Sequence, residues 1–278
     1  MLPPKTVCIE TNTECPSDCI MCPQKKIRDM RRRNIMPTEQ VYEIIDRINW
    51  DCYVELAWLN EMFTDERVFD FMDRIAEKGL GISIDTNGYL LNKGMLRKVL
   101  GYDRVFLNFS IESVNKETYS KIRRGLDFDI VIGNYNYAIE MRIQMKSSAV
   151  IWVSRVYIKG MNDTEDETST FHSSFYSLFR GADKIQTTAY KKRGGEMDTM
   201  INGTIPDRNI CSLIEDYMAI NVDGNVPLCC CDAVIDIPTG NVFNEDILKI
   251  WNCDLRYKTI EGIKEHGLRW FKGCKEVI

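Results

Sequence analysis

The chain has 278 residues, 44% of them hydrophobic and 28% charged, with Lys+Arg 36 against Asp+Glu 41 and a formal net charge of −5. This is ordinary globular composition, long enough for one large α/β domain with a small appendage, and it disfavours a basic nucleic-acid binder. No run of about 18 uncharged apolar residues occurs, and the opening MLPPKTVCIETN lacks a charged region followed by an apolar one, so a cytoplasmic protein without membrane contact is expected.

In chain order, short β-branched or aromatic runs are each followed by a helical pattern. Strands are expected at Val7 to Thr11, Tyr53 to Trp58, Gly81 to Asp85, Arg104 to Phe109, Val150 to Ile158 and Lys184 to Thr188. Helices are expected at Thr38 to Ile48, where Val41, Ile44, Ile45 and Ile48 form one apolar stripe, and at Asp65 to Lys78. This alternation predicts a parallel sheet, whose chemistry collects at the C-terminal ends of the strands. After about Asn202 the text turns to loops (NGTIPDR, DGN, PTG) and then to an apolar helix near Ile247 to Trp251, as in a small appended unit.

Residue counts exclude several chemistries. Only two histidines occur, His172 and His266, neither in an HExxH run or an obvious triad setting; GxGxxG and GxxxxGK[ST] are absent. Zinc hydrolysis, dinucleotide binding and P-loop chemistry are thereby disfavoured. Eleven cysteines remain. Their odd number and clustering read as metal binding in a reducing compartment rather than a disulfide framework.

The first group, Cys15-Pro-Ser-Asp-Cys19-Ile-Met-Cys22, directly follows the first strand. Three thiolates on one tight loop suit three irons of a cubane cluster, leaving the fourth iron open. The alternatives are a zinc site borrowing a further ligand such as Cys8, or an electron-transfer cluster completed by a distant cysteine. Three further segments stand at successive expected strand ends: Trp58-Leu59-Asn60-Glu61-Met62-Phe63, Asp85-Thr86-Asn87-Gly88-Tyr89 and Asn108-Phe109-Ser110-Ile111-Glu112.

In this order the segments resemble the radical SAM superfamily. The fold implied is an α/β partial (β/α)6 TIM-like barrel, residues 1–202, with a C-terminal twitch- or SPASM-like auxiliary-cluster domain, residues 203–278. The resemblance implies a [4Fe-4S] cluster on Cys15, Cys19 and Cys22 that binds S-adenosylmethionine. It implies that Glu61 receives the methionine ammonium, that Asn87, Ser110 and Glu112 serve the cofactor, and that Arg155, late on the fifth strand, holds the carboxylate. Two departures stand out: Asn60 where the family usually has Gly, and Met21 where it usually has an aromatic residue beside adenine. A thioether still packs against a ring.

The second group, Cys211, Gly224 and Cys229, matches the opening of the family's auxiliary domains, with Cys274 as the late ligand of one auxiliary [4Fe-4S] cluster. The usual partner of Cys274 in a CxxC is replaced by Val277, so the remaining ligand is open among Cys230, Cys231, Cys253 and an exogenous group. Each of these cysteines could equally be a small buried hydrophobe, and a zinc site is a further alternative.

Between these groups, Lys25, Lys26, Arg28, Arg31, Arg32 and Arg33 crowd nine residues. A solvated connection is the favoured reading and a lid over an anionic substrate or reductant the other. Arg193, in Lys192-Arg193-Gly194-Gly195-Glu196, suits substrate contact, because glycines admit close backbone approach and a guanidinium forks onto hydroxyls.

The resemblance implies an oxidoreductase or isomerase acting on a small polar molecule, an aminocyclitol or amino sugar. Its reductant would be a flavodoxin or ferredoxin. Cys231 and Cys253 are the candidate hydrogen donors to a substrate radical. The alternatives are a peptide-modifying maturase, an isomerase of a modified nucleoside or DNA base, and an iron-sulfur or zinc protein without catalysis.

Overall fold

The structure, a computed structural model, describes residues 1–158, 160–162, 178–179, 181–189 and 211–267. Among the described residues the strands are β1 (Thr6–Ile9), β2 (Asp18–Cys19), β3 (Tyr53–Glu55), β4 (Gly81–Thr86), β5 (Val105–Ser110), β6 (Arg123–Arg124), β7 (Val150–Tyr157), β8 (Lys184–Ala189), β9 (Tyr217–Ile220), β10 (Asn225–Pro227) and β11 (Pro238–Asn241). The helices are α1 (Gln24–Arg28), α2 (Thr38–Arg47), α3 (Val68–Glu77), α4 (Lys93–Leu100), α5 (Lys116–Ile122), α6 (Phe128–Met145), α7 (Ser212–Asp216), α8 (Ile247–Trp251) and α9 (Asp254–His266), with a 3-10 turn at Met62–Thr64. The α/β class and the parallel pairing of strands within each unit follow the alternating pattern of the sequence. No described helix is long and apolar enough to cross a membrane.

The chain divides into two units, one of Met1–Glu14, Met21–Leu80 and Lys191–Ile278, the other of Cys15–Ile20 and Gly81–Tyr190. In the first, β1 lies parallel between β3 and β9, with Val7 opposite Val54 and Met218. All four residues of β1 are buried, as expected of a parallel strand covered on both faces. Strand β9 comes from the segment after Asn202 and pairs in parallel with β1.

Strand β3 ends at Glu55, short of the expected Trp58, because the Asn60 side chain accepts from the Trp58 N–H at 3.1 Å and turns the chain. Helix α3 starts at Val68 rather than Asp65 for a similar reason. The Asp65 carboxylate accepts from the Arg67 N–H at 3.0 Å, from its Nε at 2.9 Å and from Nη2 at 2.8 Å. Arg67 also reaches the Met36 carbonyl and Thr38 Oγ1, both at 2.9 Å, which fixes the start of α2. Beyond it the Val41, Ile44 and Ile45 stripe is buried, and the Tyr42 ring meets Phe71 of α3 edge-on at 5.2 Å.

In the second unit β4, β5, β7 and β8 are parallel neighbours in that order. One face carries α6, against which Phe109 packs edge-on to Tyr135 at 5.5 Å, and Leu107, Ile151 and Val153 on that face are fully buried. Alternation gives the opposite face Asp85, Phe106, Asn108, Ser110, Trp152 and Ser154. Phe106 and Trp152 meet edge-on at 4.8 Å, and Lys184 Nζ lies 4.2 Å from the Trp152 ring centre.

Burial alone pushes the Asp65 carboxyl up, but the hydrogen bonds from Arg67 outweigh it and hold the group below the usual carboxylate range. A carboxyl depressed in the folded state contributes stability above its unfolded pKa and loses it as pH falls through the folded value. Urea melts should therefore show an acid limb below about pH 4 that flattens in Asp65→Asn, with about 2 kcal/mol lost at neutral pH; parallel pH profiles would contradict the assignment.

Candidate functional site

In the second unit, Cys19 sits on β2 opposite Arg123 of β6. Ser17 Oγ is 2.9 Å from its sulfur and donates to the Arg124 carbonyl at 3.1 Å. Burial pushes the Cys19 thiol up, while the neighbouring Arg123 guanidinium and the Ser17 hydroxyl act in the opposite direction. Arg123 grips Glu112 through two hydrogen bonds, Nε to Oε2 and Nη2 to Oε1, the latter 2.9 Å, and Glu112 is buried. Glu112 thus places a cation near Cys19.

Cys15 is half-buried and receives the Asn87 Nδ2–H at 3.9 Å. Asn87 is itself held, since its Oδ1 accepts from the Tyr89 N–H at 2.9 Å. The intervening Gly88 has φ +75°, and a Cβ there would lie 2.8 Å from the Phe109 ring. Glycine is therefore required on two counts. Ser110 is half-buried at the end of β5. Arg155 is buried, donating to Thr187 Oγ1 at 3.3 Å and to the Asn162 carbonyl at 3.4 Å. Ser110 pairs with Ser154, which puts the adjacent Arg155 on the other face of the strand.

In the first unit, Met21 and Cys22 are half-buried ahead of α1. Glu61 is buried; its N–H donates to the Glu14 carbonyl at 2.9 Å, and its carbonyl accepts from Thr64 Oγ1 at 2.7 Å. Asn60 Nδ2 donates to Asn12 Oδ1 at 3.3 Å, and Asn12 Nδ2 to Thr64 Oγ1 at 3.0 Å. The loop bearing Glu61 is therefore tied to the residues just ahead of Cys15. Where the usual glycine is replaced, the Asn60 amide takes over the turn.

The sulfurs of Cys229, Cys230 and Cys231 all lie within 4.8 Å of one another, a group that could hold a metal. Hydrogen bonding with Cys230 and Cys231, then burial, raises the Cys229 thiol well above its ordinary value. Around the three pack Cys8, Ala219 and the Trp58 ring, and Trp58 Nε1 donates to the Cys230 carbonyl at 2.8 Å. Cys211 instead packs among Ile214, Leu228, Ile260 and Ile263. Gly224 has φ +83°, and a Cβ would meet the Phe243 ring at 2.5 Å. Cys253 is half-buried at the N-terminus of α9. Arg193 and Cys274 lie outside the described residues.

A group that the sequence reading missed is Arg256. It is fully buried, stacks 4.1 Å over Trp251, and donates to the carbonyls of Ile214 at 2.9 Å and Pro227 at 3.4 Å, while its Nε has no hydrogen-bond partner. Burial pulls its pKa down to about 10, partly opposed by Cys253, Cys229 and Cys230. A buried guanidinium facing cysteines suits an anionic thiolate group.

The basic segment is exposed at Lys26 and Arg32, but Arg31 departs from the solvated connection expected. The Arg31 side chain is 4% exposed and its Nε lies 3.2 Å from Glu10 Oε2. Nη2 of Arg31 donates to the Ala233 carbonyl at 3.2 Å, and the guanidinium lies 5.5 Å from the Trp58 ring centre. Glu10 also accepts from the Val222 N–H at 3.0 Å, and the Arg32 N–H donates to Asp223 Oδ2 at 3.0 Å. The available signal was Glu10 itself, a carboxylate at the end of an apolar strand, which demands a buried cation.

The radical SAM superfamily model matches residues 9–172, and the model of an iron-sulfur cluster-binding domain, SPASM, matches residues 211–276. Among solved structures the chain is similar to SuiB of Streptococcus suis bound to precursor peptide SuiA, at 16% identity and TM-score 0.64, covering 94% of this chain and 66% of that chain. It is similar to BtrN in complex with AdoMet and 2-DOIA, at 16% identity and TM-score 0.62, covering 95% of this chain and 88% of that chain. It is also similar to native anSMEcpe with bound AdoMet, at 14% identity and TM-score 0.68, covering 93% and 83%. No curated protein sequence matches. At these identities the solved structures speak to fold.

A buried pair tolerates the loss of both charges better than the loss of one. Arg31→Met should cost about 3 to 5 kcal/mol in urea unfolding, and adding Glu10→Gln should restore most of it. Simple additivity of the two substitutions would show that the pair is solvated.

Proposed function

The chain belongs to the radical SAM superfamily and carries an iron-sulfur cluster-binding domain; on that premise we propose that it abstracts hydrogen from a small polar substrate, an aminocyclitol or amino sugar. The cofactors are a [4Fe-4S] cluster with S-adenosylmethionine and an auxiliary iron-sulfur cluster, and the chemistry they supply is reductive cleavage of S-adenosylmethionine to methionine and a 5'-deoxyadenosyl radical.

The residues present fit these groups. Cys15, Cys19 and Cys22 would hold the first cluster; the Asn87 amide at Cys15 and the Ser17 hydroxyl at Cys19 are donors suited to iron-bound thiolates. Glu61 would take the methionine ammonium, and Met21, Asn60, Asn87, Ser110, Glu112 and Arg155 complete the proposed cofactor set. Cys211, Cys229 and Cys274 would hold the auxiliary cluster, with Cys230 and Cys231 in reserve beside Cys229. The buried Arg256 supplies the positive charge that such an anionic group calls for. A flavodoxin or ferredoxin would deliver the electron.

The observation that carries the substrate reading is the polar face of β4, β5 and β7, which bears Asp85, Asn108, Ser110 and Ser154. Hydroxyl, amide and carboxylate groups in a row suit a polyhydroxylated molecule. The fold match to BtrN in complex with 2-DOIA supports the same reading. A second reading, peptide modification, is supported by the match to SuiB bound to its precursor peptide. Arg193 remains the proposed substrate contact beyond β8.

The fate of the substrate radical divides oxidation from epimerisation. Loss of a proton, and of a further electron that the auxiliary cluster would accept, leaves a carbonyl and takes no hydrogen from the protein. Return of hydrogen from a thiol, at Cys231 or Cys253, gives an epimer or isomer. We favour oxidation, since Cys231 is buried within the three-sulfur group. Turnover in deuterated water should give an unlabelled carbonyl product; deuterium at the attacked carbon, lost in Cys231→Ala or Cys253→Ala, would overturn the preference.

A further inference from the structure

We propose that Cys8 is a ligand of the auxiliary cluster, supplying from β1 the thiolate whose usual place in a CxxC is taken by Val277. The inference rests on the auxiliary iron-sulfur cluster proposed above and names a protein ligand that the C-terminal cysteine spacing does not contain.

From the sequence, Cys8 is a further ligand for the first cysteine group in the zinc alternative; the structure places it with the second. In the first unit Cys8 packs in one buried cluster with Ala219, Cys230 and Cys231, and Cys229 lies against that cluster. The register partners of Cys8 are Glu55 of β3 and Ala219 of β9, and residues in register on parallel strands share a face. Two hydrogen bonds hold the cysteine loop in this region. Trp58 Nε1 donates to the Cys230 carbonyl at 2.8 Å, and Arg31 Nη2 to the Ala233 carbonyl at 3.2 Å.

Glu55 argues against a cysteine that merely fills space. Cys8 Sγ donates to Glu55 Oε2 at 3.6 Å, and both residues are 6% exposed. A thiol that only packs needs no such acceptor, and a carboxylate is costly to bury. The arrangement suits a thiol that must give up its proton. Ligation breaks the Cys8 S–H bond and forms an S–Fe bond without oxidising either atom, and Glu55 is placed to take the proton. The cysteine loop itself is poorly spaced to furnish the missing thiolate. The sulfurs of Cys229, Cys230 and Cys231 lie within 4.8 Å of one another. Sulfurs so close suit a single metal atom, being about 3.8 Å apart around a tetrahedral ion with bonds of about 2.3 Å. In a cubane each thiolate sits on its own iron and stands farther from the next. Cys8 packs beside the three-sulfur group without belonging to it, so Cys229 from the loop and Cys8 from a separate strand meet that requirement. Cys253, another candidate, stands instead at the N-terminus of α9, near Arg256.

The test uses the full chain with Cys15, Cys19 and Cys22 replaced by alanine, reconstituted anaerobically with iron and sulfide so that only the auxiliary cluster forms. Iron analysis and Mössbauer spectra compare this parent with added Cys8→Ala, Cys8→Ser, Cys230→Ala and Cys253→Ala, and with Cys52→Ala as the control for loss of a buried cysteine. The proposal predicts a fall from about four irons to about three or fewer in Cys8→Ala. Cys8→Ser should keep a four-iron cluster with one iron site of changed isomer shift, because oxygen replaces sulfur there, and Cys52→Ala should match the parent. Four irons with the parent spectrum in Cys8→Ala, or an unchanged spectrum in Cys8→Ser, overturns the proposal. Iron loss confined to Cys230→Ala or Cys253→Ala overturns it too and moves the ligand to that residue. If both Cys8 variants lose the whole cluster, melting of the metal-free chains decides. Melting together with the metal-free parent assigns the loss to ligation, and melting well below it overturns the proposal. A parent that binds no iron overturns the auxiliary cluster and this ligand together.

Discussion

A carboxylate at the end of the first strand and the arginine that meets it hold much of the first unit in register. Glu10 is buried where β1 stops, and burial pushes its carboxyl up while Arg31 pulls it back. Such a pair is stable only when each partner has further hydrogen bonds. Both have them: Glu10 takes the Val222 N–H, and Arg31 reaches the Ala233 carbonyl. These partners flank β10 and the three adjacent cysteines. The same guanidinium lies over Trp58, whose indole N–H holds the Cys230 carbonyl. One ion pair thus links the strand that feeds the first cysteine segment, the basic segment that follows it, and the second cysteine group.

The two cysteine groups are provided for in different ways. Around Cys15 and Cys19 the structure places hydrogen-bond donors and an arginine, Arg123, whose charge is held by Glu112. Around Cys229 to Cys231 it places apolar and aromatic surface, with the buried Arg256 as the cation. Low dielectric raises the value of each charge there. Donors at sulfur and burial are two of the means by which a protein adjusts an iron-sulfur centre.

Much of this was legible in the sequence. The apolar run Thr6–Ile9 announces a parallel strand, because a strand buried on both faces needs no alternation. The cysteine spacing and the segments at Glu61, Asn87 and Ser110 announce the family, since each is local in sequence. What stayed hidden depends on contacts between distant residues. Arg31 looked like part of a solvated charge run, and only its pairing with Glu10, 21 residues away, distinguishes it. Strand β9 is only four residues long, and it forms because β1 offers it an edge. Asn108 looked like a link in the Ser110 segment; its unpaired carbonyl oxygen becomes visible only once Asp85 and Ser154 are placed beside it.

The central claim is that Cys15, Cys19 and Cys22 hold the cluster at which S-adenosylmethionine is cleaved, separately from the second cysteine group. Mössbauer spectra and iron analysis of the chain with all three replaced by alanine test it most directly. The account predicts that about half the iron is lost, that the auxiliary spectrum persists, and that dithionite yields no 5'-deoxyadenosine. Unchanged iron with full cleavage of S-adenosylmethionine would contradict it.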